Sequence, residues 1–302
     1  MAHDDNHGPA DYNKAFAFGV ALNLGYIAVE ATFGILVGSL ALLADAGHNL
    51  SDVLGLLLAW AGNYLGQRKP TERFTYGWRK SSILAALMNA IILLVTMGGI
   101  AWEAIRRVNH TSPVAGKTII VVAAVGVVIN TATALLFLSG RKSDLNIRGA
   151  FLHMAADAGI SAGVVVAGVV IIATGWFWID PVVSLLISVI IVIGTWGLLR
   201  DSFNLVLDAV PAGIDPEAVK AYLSGLPGVA EVHDLHIWAM STTETALTVH
   251  LVKANSANDD LLLENVDKEL HARFGIGHST IQWERQHELS QCGTAYEIDQ
   301  NQ

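Results

Sequence analysis

Cysteine is almost missing from this sequence: there is one, Cys292, in 302 residues. No disulfide can close within the chain, and a zinc site made of thiolates alone is excluded. Charge is scarce too. Charged residues are 15% of the sequence, against about a quarter in an average soluble domain. Hydrophobic residues are 53% and mean hydropathy is +0.47, a balance that does not suit a soluble enzyme. Basic residues are few where phosphate binding would need them. Residues 203–302 hold 5 Lys+Arg against 15 Asp+Glu, which argues against nucleic acid as a partner. Residues 1–202, with 13 against 12, are nearly neutral. No signal peptide is expected, because the first dozen residues (His3, Asp4, Asp5, His7, Asp11) are polar and acidic. The pattern H-E-x-x-H is absent as well, and with it the usual signature of a zinc protease.

The chain is rich in long apolar runs instead. Six fall at about 14–37, 40–65, 81–105, 117–139, 149–174 and 178–199, each suited to some 30 Å of hydrocarbon. The first and fifth connections, Gly38-Ser39 and Gly175-Trp176-Phe177-Trp178, are tight and uncharged, as turns at a membrane boundary are. The even-numbered connections carry eight basic residues: Arg68, Lys69, Arg73, Arg79, Lys80, Arg141, Lys142 and Arg148. The odd-numbered ones carry Arg106, Arg107 and Lys117. The positive-inside rule then places both termini in the cytoplasm. Gly159 with Gly163, and Gly47, Gly55 and Gly62, predict close helix packing.

Two of the runs carry residues that lipid does not tolerate idly. His48 and Asp52 lie four apart on the second, and His153 and Asp157 repeat the spacing on the fifth. That spacing puts each pair on one helix face, one turn apart. An ionisable side chain at the bilayer centre costs at least about 2.5 kcal/mol and is functional by default. Two imidazoles and two carboxylates from separate helices suit a divalent ion of the zinc type in tetrahedral geometry. Calcium and magnesium prefer oxygen alone, and copper(I) prefers sulfur. The competing reading is that each pair hydrogen-bonds across the bundle or relays protons. Asp45, one turn before His48, is either an acceptor that orients a ligand histidine or the border of a water-filled path. Asn23, Asn49, Asn89, Asn130 and Glu30 predict interhelical hydrogen bonds, with Asn23 and Asn49 candidates for lining the approach to the site. Each His/Asp pair sits on the middle run of a set of three, the arrangement of an inverted repeat.

Beyond residue 202 the pattern changes. Pro216–Leu226 has helical spacing behind a capping Asp215. Val229–Ala239 and Thr245–Lys253 alternate as half-buried strands do, Asp259–Phe274 is helical again, and His278–Arg285 reads as a last strand. The order αββαβ predicts a small two-layer α+β domain of ferredoxin-like type. The expected organisation is a polar tail at 1–13, a six-helix transmembrane domain at 14–202, the α+β domain at 203–287 and a loose tail at 288–302.

The six runs, L-x-A-D-A-x-H-N-x-x-D in the second, H-x-x-x-D in the fifth and a short acidic domain ending H-S-T-I-Q-x-E resemble the cation diffusion facilitator family over about residues 14–285. The resemblance implies a multi-pass protein of the plasma (bacterial inner) membrane and not an enzyme. It implies export of divalent metal from the cytoplasm against protons, usually by a homodimer joined at the cytoplasmic domains. Histidine at position 48 is similar to the zinc-transporting branch, so Zn2+ is the expected cargo, bound in the cytoplasmic domain as well. There the resemblance implies a site of His233, His250, His278 and Glu284, while His236 and His271 read as ordinary. His233 and His236 are three apart on a strand and cannot easily share an ion. His287 and Cys292 are weaker candidates from the C-terminal end. No metal site is expected in the connection after the second run, which lacks His and Asp, and the resemblance suggests a charge contact between Lys80 and Asp208.

Overall fold

In the computed structural model the described backbone covers residues 12–108, 110–138, 145–253 and 259–285. The tails around His3, His7, His287 and Cys292 lie outside the described residues. Six long helices come first: α1 (Tyr12–Val37), α2 (Leu40–Gly66), α3 (Ser81–Val108), α4 (Gly116–Phe137), α5 (Leu145–Thr174) and α6 (Ile179–Val206). The sixth runs several residues past the expected end at 199, because Arg200, Asp201 and Asn204 are polar without breaking helical spacing. Among the described residues four stretches are long and apolar enough to cross a membrane: Ser81–Val108, Gly116–Leu136, Phe151–Thr174 and Ile179–Val206. Ala21–Val37 is apolar but shorter, and α2 is interrupted by Asp45, His48, Asn49 and Asp52. At most 39% of the apolar window of any of the four is buried, so the chain is a helical membrane protein whose apolar flanks need lipid.

By its contacts the chain forms two compact units, one of 1–57 with 88–197 and the other of 58–87 with 198–302. In the first, Tyr26, Leu42, Met97, Ile119, Val164 and Ile187 share one core. The chain turns from α1 into α2 at Gly38, whose φ of +68° is a conformation side chains disfavour. Ser39 then caps α2, its Oγ accepting from the Leu42 amide at 3.3 Å.

Close approach occurs at the expected Gly62, where a Cβ would lie 2.9 Å from the Ser82 backbone, and also at glycines that the spacing did not single out. A Cβ on Gly116 would lie 3.3 Å from the Gly168 carbonyl, and one on Gly168 would lie 3.3 Å from that of Gly116, so α4 and α5 touch backbone to backbone. Gly47 and Gly55 pack against α3, on Met97 and Asn89. Gly159 and Gly163, expected to do the same, have nothing within 4 Å among the described residues, because their side of α5 faces away from the neighbouring helices. At Gly126 a Cβ would stand 2.2 Å from the Tyr26 hydroxyl. Gly126→Ala is therefore expected to lose about 1–3 kcal/mol by overpacking. Thermal denaturation in detergent checks this; an unchanged midpoint would mean Tyr26 does not pack there.

In the second unit, α7 (Pro216–Ser224) starts at Asp215, whose Oδ1 accepts from the Glu217 amide at 3.0 Å. It ends at Ser224, two residues before the expected Leu226, with Gly225 as its C-cap. The strands β1 (Val229–Ala239), β2 (Thr245–Lys253) and β3 (Ile276–Arg285) form one sheet in that order. β1 and β2 are antiparallel; β2 and β3 are parallel and joined by α8 (Asp259–Phe274), since a parallel pair needs a long crossover. Val219, Leu223, Leu247, Leu251, Leu270 and Ile276 fill the space between sheet and helices. Lys80 Nζ meets Asp208 Oδ1 at 2.6 Å and Arg79 meets Glu244 at 3.1 Å. Both pairs are exposed, so each contributes about 0–1 kcal/mol.

Candidate metal centres

The helix period that pairs His48 with Asp52 on α2 also pairs His153 with Asp157 on α5, and the two faces meet. His48 Nε2 lies 3.5 Å from Asp52 Oδ2 and 3.4 Å from Asp157 Oδ1. His153 Nε2 lies 3.3 Å from Asp52 Oδ2 and 3.6 Å from Asp157 Oδ2. The two imidazoles stand edge to face, with centroids 6.0 Å apart. Charge-assisted N–H···O bonds close to about 2.7–2.9 Å, and these contacts do not. They match the edge of a tetrahedron, about 3.3–3.6 Å when metal–ligand bonds are about 2.0–2.2 Å. Asp157 meets the two imidazoles with different oxygens, and the residues that bring one ligand atom each within 4.8 Å of the others are His48, Asp52 and Asp157, with His153 at the open edge. Asp52 Oδ2 and both oxygens of Asp157 are buried without a hydrogen-bond donor among the described residues. The Asp157 side chain is 2% exposed and that of His153 42%, so the cluster is closed at one side and open at the other.

Around the quartet the polar residues fall partly as expected. Asp45 makes no hydrogen bond to His48. Its Oδ2 accepts from Ser161 Oγ at 2.8 Å and its Oδ1 from Asn49 Nδ2 at 3.3 Å. Asn23 Nδ2 reaches the Met154 sulfur at 3.7 Å, beside His153. Ser51 Oγ contacts Asn89 Oδ1 at 3.4 Å, one of the interhelical hydrogen bonds the sequence leads one to expect. Asp180 was not singled out by sequence. At the start of α6 it accepts from Ser39 Oγ at 2.5 Å and from the amides of Leu40 and Ala41 at 2.8 and 3.4 Å.

A second cluster lies on the sheet. His233 and His250 face each other across β1 and β2, with ring centroids 5.3 Å apart. Glu284 on β3 pairs with Val252, two residues from His250 and so on the same face. Its Oε2 is 3.3 Å from His233 Nε2 and its Oε1 2.9 Å from His250 Nδ1. One ligand atom from each of the three lies within 4.8 Å of the others, as holds also for His48, Asp52 and Asp157. His278 does not join them. It pairs with Ala246, four residues from His250 on β2, or about 13 Å along a strand, and its ring meets Tyr76 edge-on at 5.9 Å. The place expected for it is approached by Asp234, whose Oδ2 is 3.6 Å from His250 Nε2. Asp234 has a φ of +51° at a break in the β1 register, which turns its carboxylate toward His250 and His236. Plain strand alternation hides such a residue; H-D-L-H is its only trace in the sequence. His236, exposed, contacts Asp234 at 2.8 Å.

Residues 17–207 match the family model of the cation efflux transmembrane domain, and residues 211–286 that of the cation efflux protein cytoplasmic domain. The chain belongs to the cation efflux family, the cation diffusion facilitators. Among its relatives in the cation efflux family, zinc transporter ZitB of Escherichia coli (strain K12) is 38% identical over 290 residues, covering 94% of this chain and 92% of the relative. The cadmium, cobalt and zinc/H(+)-K(+) antiporter of Bacillus velezensis is 33% identical over 289 residues, covering 94% and 92%. The metal cation efflux system protein CzcD of Cupriavidus metallidurans is 34% identical over 283 residues, covering 93% and 89%. A solved structure, the metal-bound C-terminal domain of the CzcD transporter from that organism, is 38% identical and covers 24% of this chain and 99% of its own, with a TM-score of 0.22.

Proposed function

We propose that this chain exports divalent metal cations, Zn2+ above all, across the plasma membrane in exchange for protons, with His48, Asp52, His153 and Asp157 as the transport site. The observation that carries the reading is the set of four histidine–aspartate contacts of 3.3–3.6 Å, one within α2, one within α5 and two between them. Two imidazoles and two carboxylates in one cluster suit zinc better than a cation that prefers oxygen alone. Such a shell leaves no open position for a metal-bound water, so the reading is transport and not hydrolysis. The names of the relatives, a zinc transporter and a cadmium, cobalt and zinc antiporter, support it. In this reading all six helices cross the bilayer, α2 included, and both termini are cytoplasmic.

Metal ligands must shed their protons to bind, so loading releases protons on one side and unloading takes them up on the other. Histidine, which titrates near neutral pH, suits that exchange. The C-terminal domain is cytoplasmic and ferredoxin-like in this reading, joins two chains into a homodimer, and holds a second ion on His233, His250 and Glu284. Asp234 approaches this site from β1.

Equilibrium dialysis of the purified chain is expected to count two zinc ions per chain. Asp157→Asn and His250→Ala should each remove one, and the double variant both. A single ion in the wild type would cancel one of the sites. In liposomes, zinc uptake that ignores a collapsed pH gradient would end the exchange reading.

A further inference from the structure

Three helices enclose a second cluster of acids that the quartet does not use. Glu30 on α1 and Asp45 on α2 are both 0% exposed, and so is Ser161 on α5. Glu30 Oε1 accepts from the Tyr26 hydroxyl at 2.7 Å. Asp45 Oδ2 accepts from Ser161 at 2.8 Å and its Oδ1 from Asn49 at 3.3 Å. The two donors that hold these acids converge, since one point above Gly126 lies 2.2 Å from the Tyr26 hydroxyl and 3.0 Å from Ser161 Oγ, so Glu30 and Asp45 are neighbours; Glu30 Oε2 is buried without a hydrogen-bond partner among the described residues. Tyr26 itself is clamped against Gly126 of α4, where no side chain fits.

Besides the donors Ser161 and Asn49, the titratable groups that act on the pair are Tyr26 on α1, His48 on α2 and Asp157 on α5. None is a lysine or arginine, and at its contact with the cluster α4 presents a glycine. Two carboxylates this close and this dry cannot both stay charged; one proton or one cation must sit between them.

We propose that Glu30 and Asp45 form a second site beside the quartet that carries one exchanged proton on oxygen. The inference rests on the quartet being the metal site. Asp45 precedes His48 by three residues, one helical turn, so an ion entering the quartet places its charge next to the pair. The carboxyl O–H bond then breaks, the proton leaves to water and the carboxylate stays behind. When the ion departs, a proton from the other side restores the O–H bond. Nothing is oxidised or reduced, and the charge around the site changes little through the cycle.

The test counts protons released per zinc bound, from calorimetry in buffers of different ionisation enthalpy. It uses the full chain in a His250→Ala background, so that only the membrane site is read. Visible absorption of bound Co2+ reports independently whether the quartet still forms a tetrahedral site. Glu30→Gln, which mimics the protonated acid, is expected to keep the cobalt bands and lower the count by about one proton. Glu30→Asp should restore it, and Asp45→Asn carries the same test should Glu30→Gln lose the cobalt bands. An unchanged count in both neutral variants overturns the proposal. So does a potassium dependence of zinc binding that vanishes in Glu30→Gln while the proton count holds, since the pair would then hold a monovalent metal ion. Absence of tetrahedral cobalt bands in the parent chain would instead sink the quartet reading, and this inference with it.

Discussion

Asp157→Asn is expected to abolish metal transport while leaving the fold intact. Asp157 is the buried acid that touches both histidines, with one oxygen 3.4 Å from His48 Nε2 and the other 3.6 Å from His153 Nε2. With Asp52 it supplies the two negative charges that neutralise a divalent ion; an amide leaves the loaded site with a net positive charge in a medium that screens it poorly. Removing one partner of a buried charge pair costs about 3–5 kcal/mol, and at about 1.4 kcal/mol per decade that is two to four orders of magnitude in affinity. Asparagine is nearly isosteric, and neither oxygen of Asp157 accepts a hydrogen bond from another described residue, so the helices lose no structural contact. Flux into liposomes at micromolar zinc should fall below detection, with the thermal midpoint of the apo protein within a few degrees of the parent. Flux within a few-fold of the parent would remove Asp157 from the transport site. Asp52→Asn makes a useful comparison: its side chain is 27% exposed, water screens the lost charge in part, and its effect should be smaller.

How much of this was readable in the sequence depends on how local the cause is. His48 and Asp52 share a face because a helix repeats every 3.6 residues, and His153 and Asp157 follow the same rule. That the two faces meet is tertiary, yet one line of reasoning anticipates it: four ionisable groups in lipid need one another. Asp215 as a helix cap and the αββαβ order follow from equally local signals. His278 failed because its place depends on the register between β2 and β3, which no residue pattern within β3 encodes. The resemblance groups it with Glu284; pairing puts it opposite Ala246. Asp234 was missed because a positive φ at a break in register turns it, and an aspartate between two histidines does not announce that. Gly159 and Gly163 carry the small-residue spacing of a packing face, but spacing does not say which side of α5 another helix covers. Glu30 looked like one more interhelical hydrogen bond, since its partner Asp45 is distant from it in sequence and the two meet only where α1 and α2 pack.

Asp180→Ala is expected to damage the site from a distance, through the start of α2. The first amides of a helix have no carbonyl of their own helix to bond, and inside an apolar bundle no water replaces it. Asp180 answers that need from another helix. Its carboxylate, 2% exposed, takes the Leu40 and Ala41 amides and the hydroxyl of Ser39, where the helix dipole favours a negative charge. Alanine would strand two amides at about 1–3 kcal/mol each. It would also release the Ser39 hydroxyl, leaving the turn that fixes where α2 begins to the Gly38 carbonyl's bond from Arg107 Nη1 at 2.8 Å and to backbone bonds. His48 lies eight residues further on, about 12 Å along the helix axis, so a shift of that end moves His48 and Asp52 relative to α5. A tetrahedral shell tolerates only about 0.2 Å of error in its bond lengths. Hydrogen exchange should therefore speed up at Leu40 and Ala41 by at least tenfold, and zinc affinity at the membrane site should fall with it. Asp180→Asn, which keeps one carbonyl oxygen, should lie between the parent and the alanine variant. Exchange at those two amides that stays at parental rates, together with parental affinity, would show that α2 is anchored by something other than Asp180.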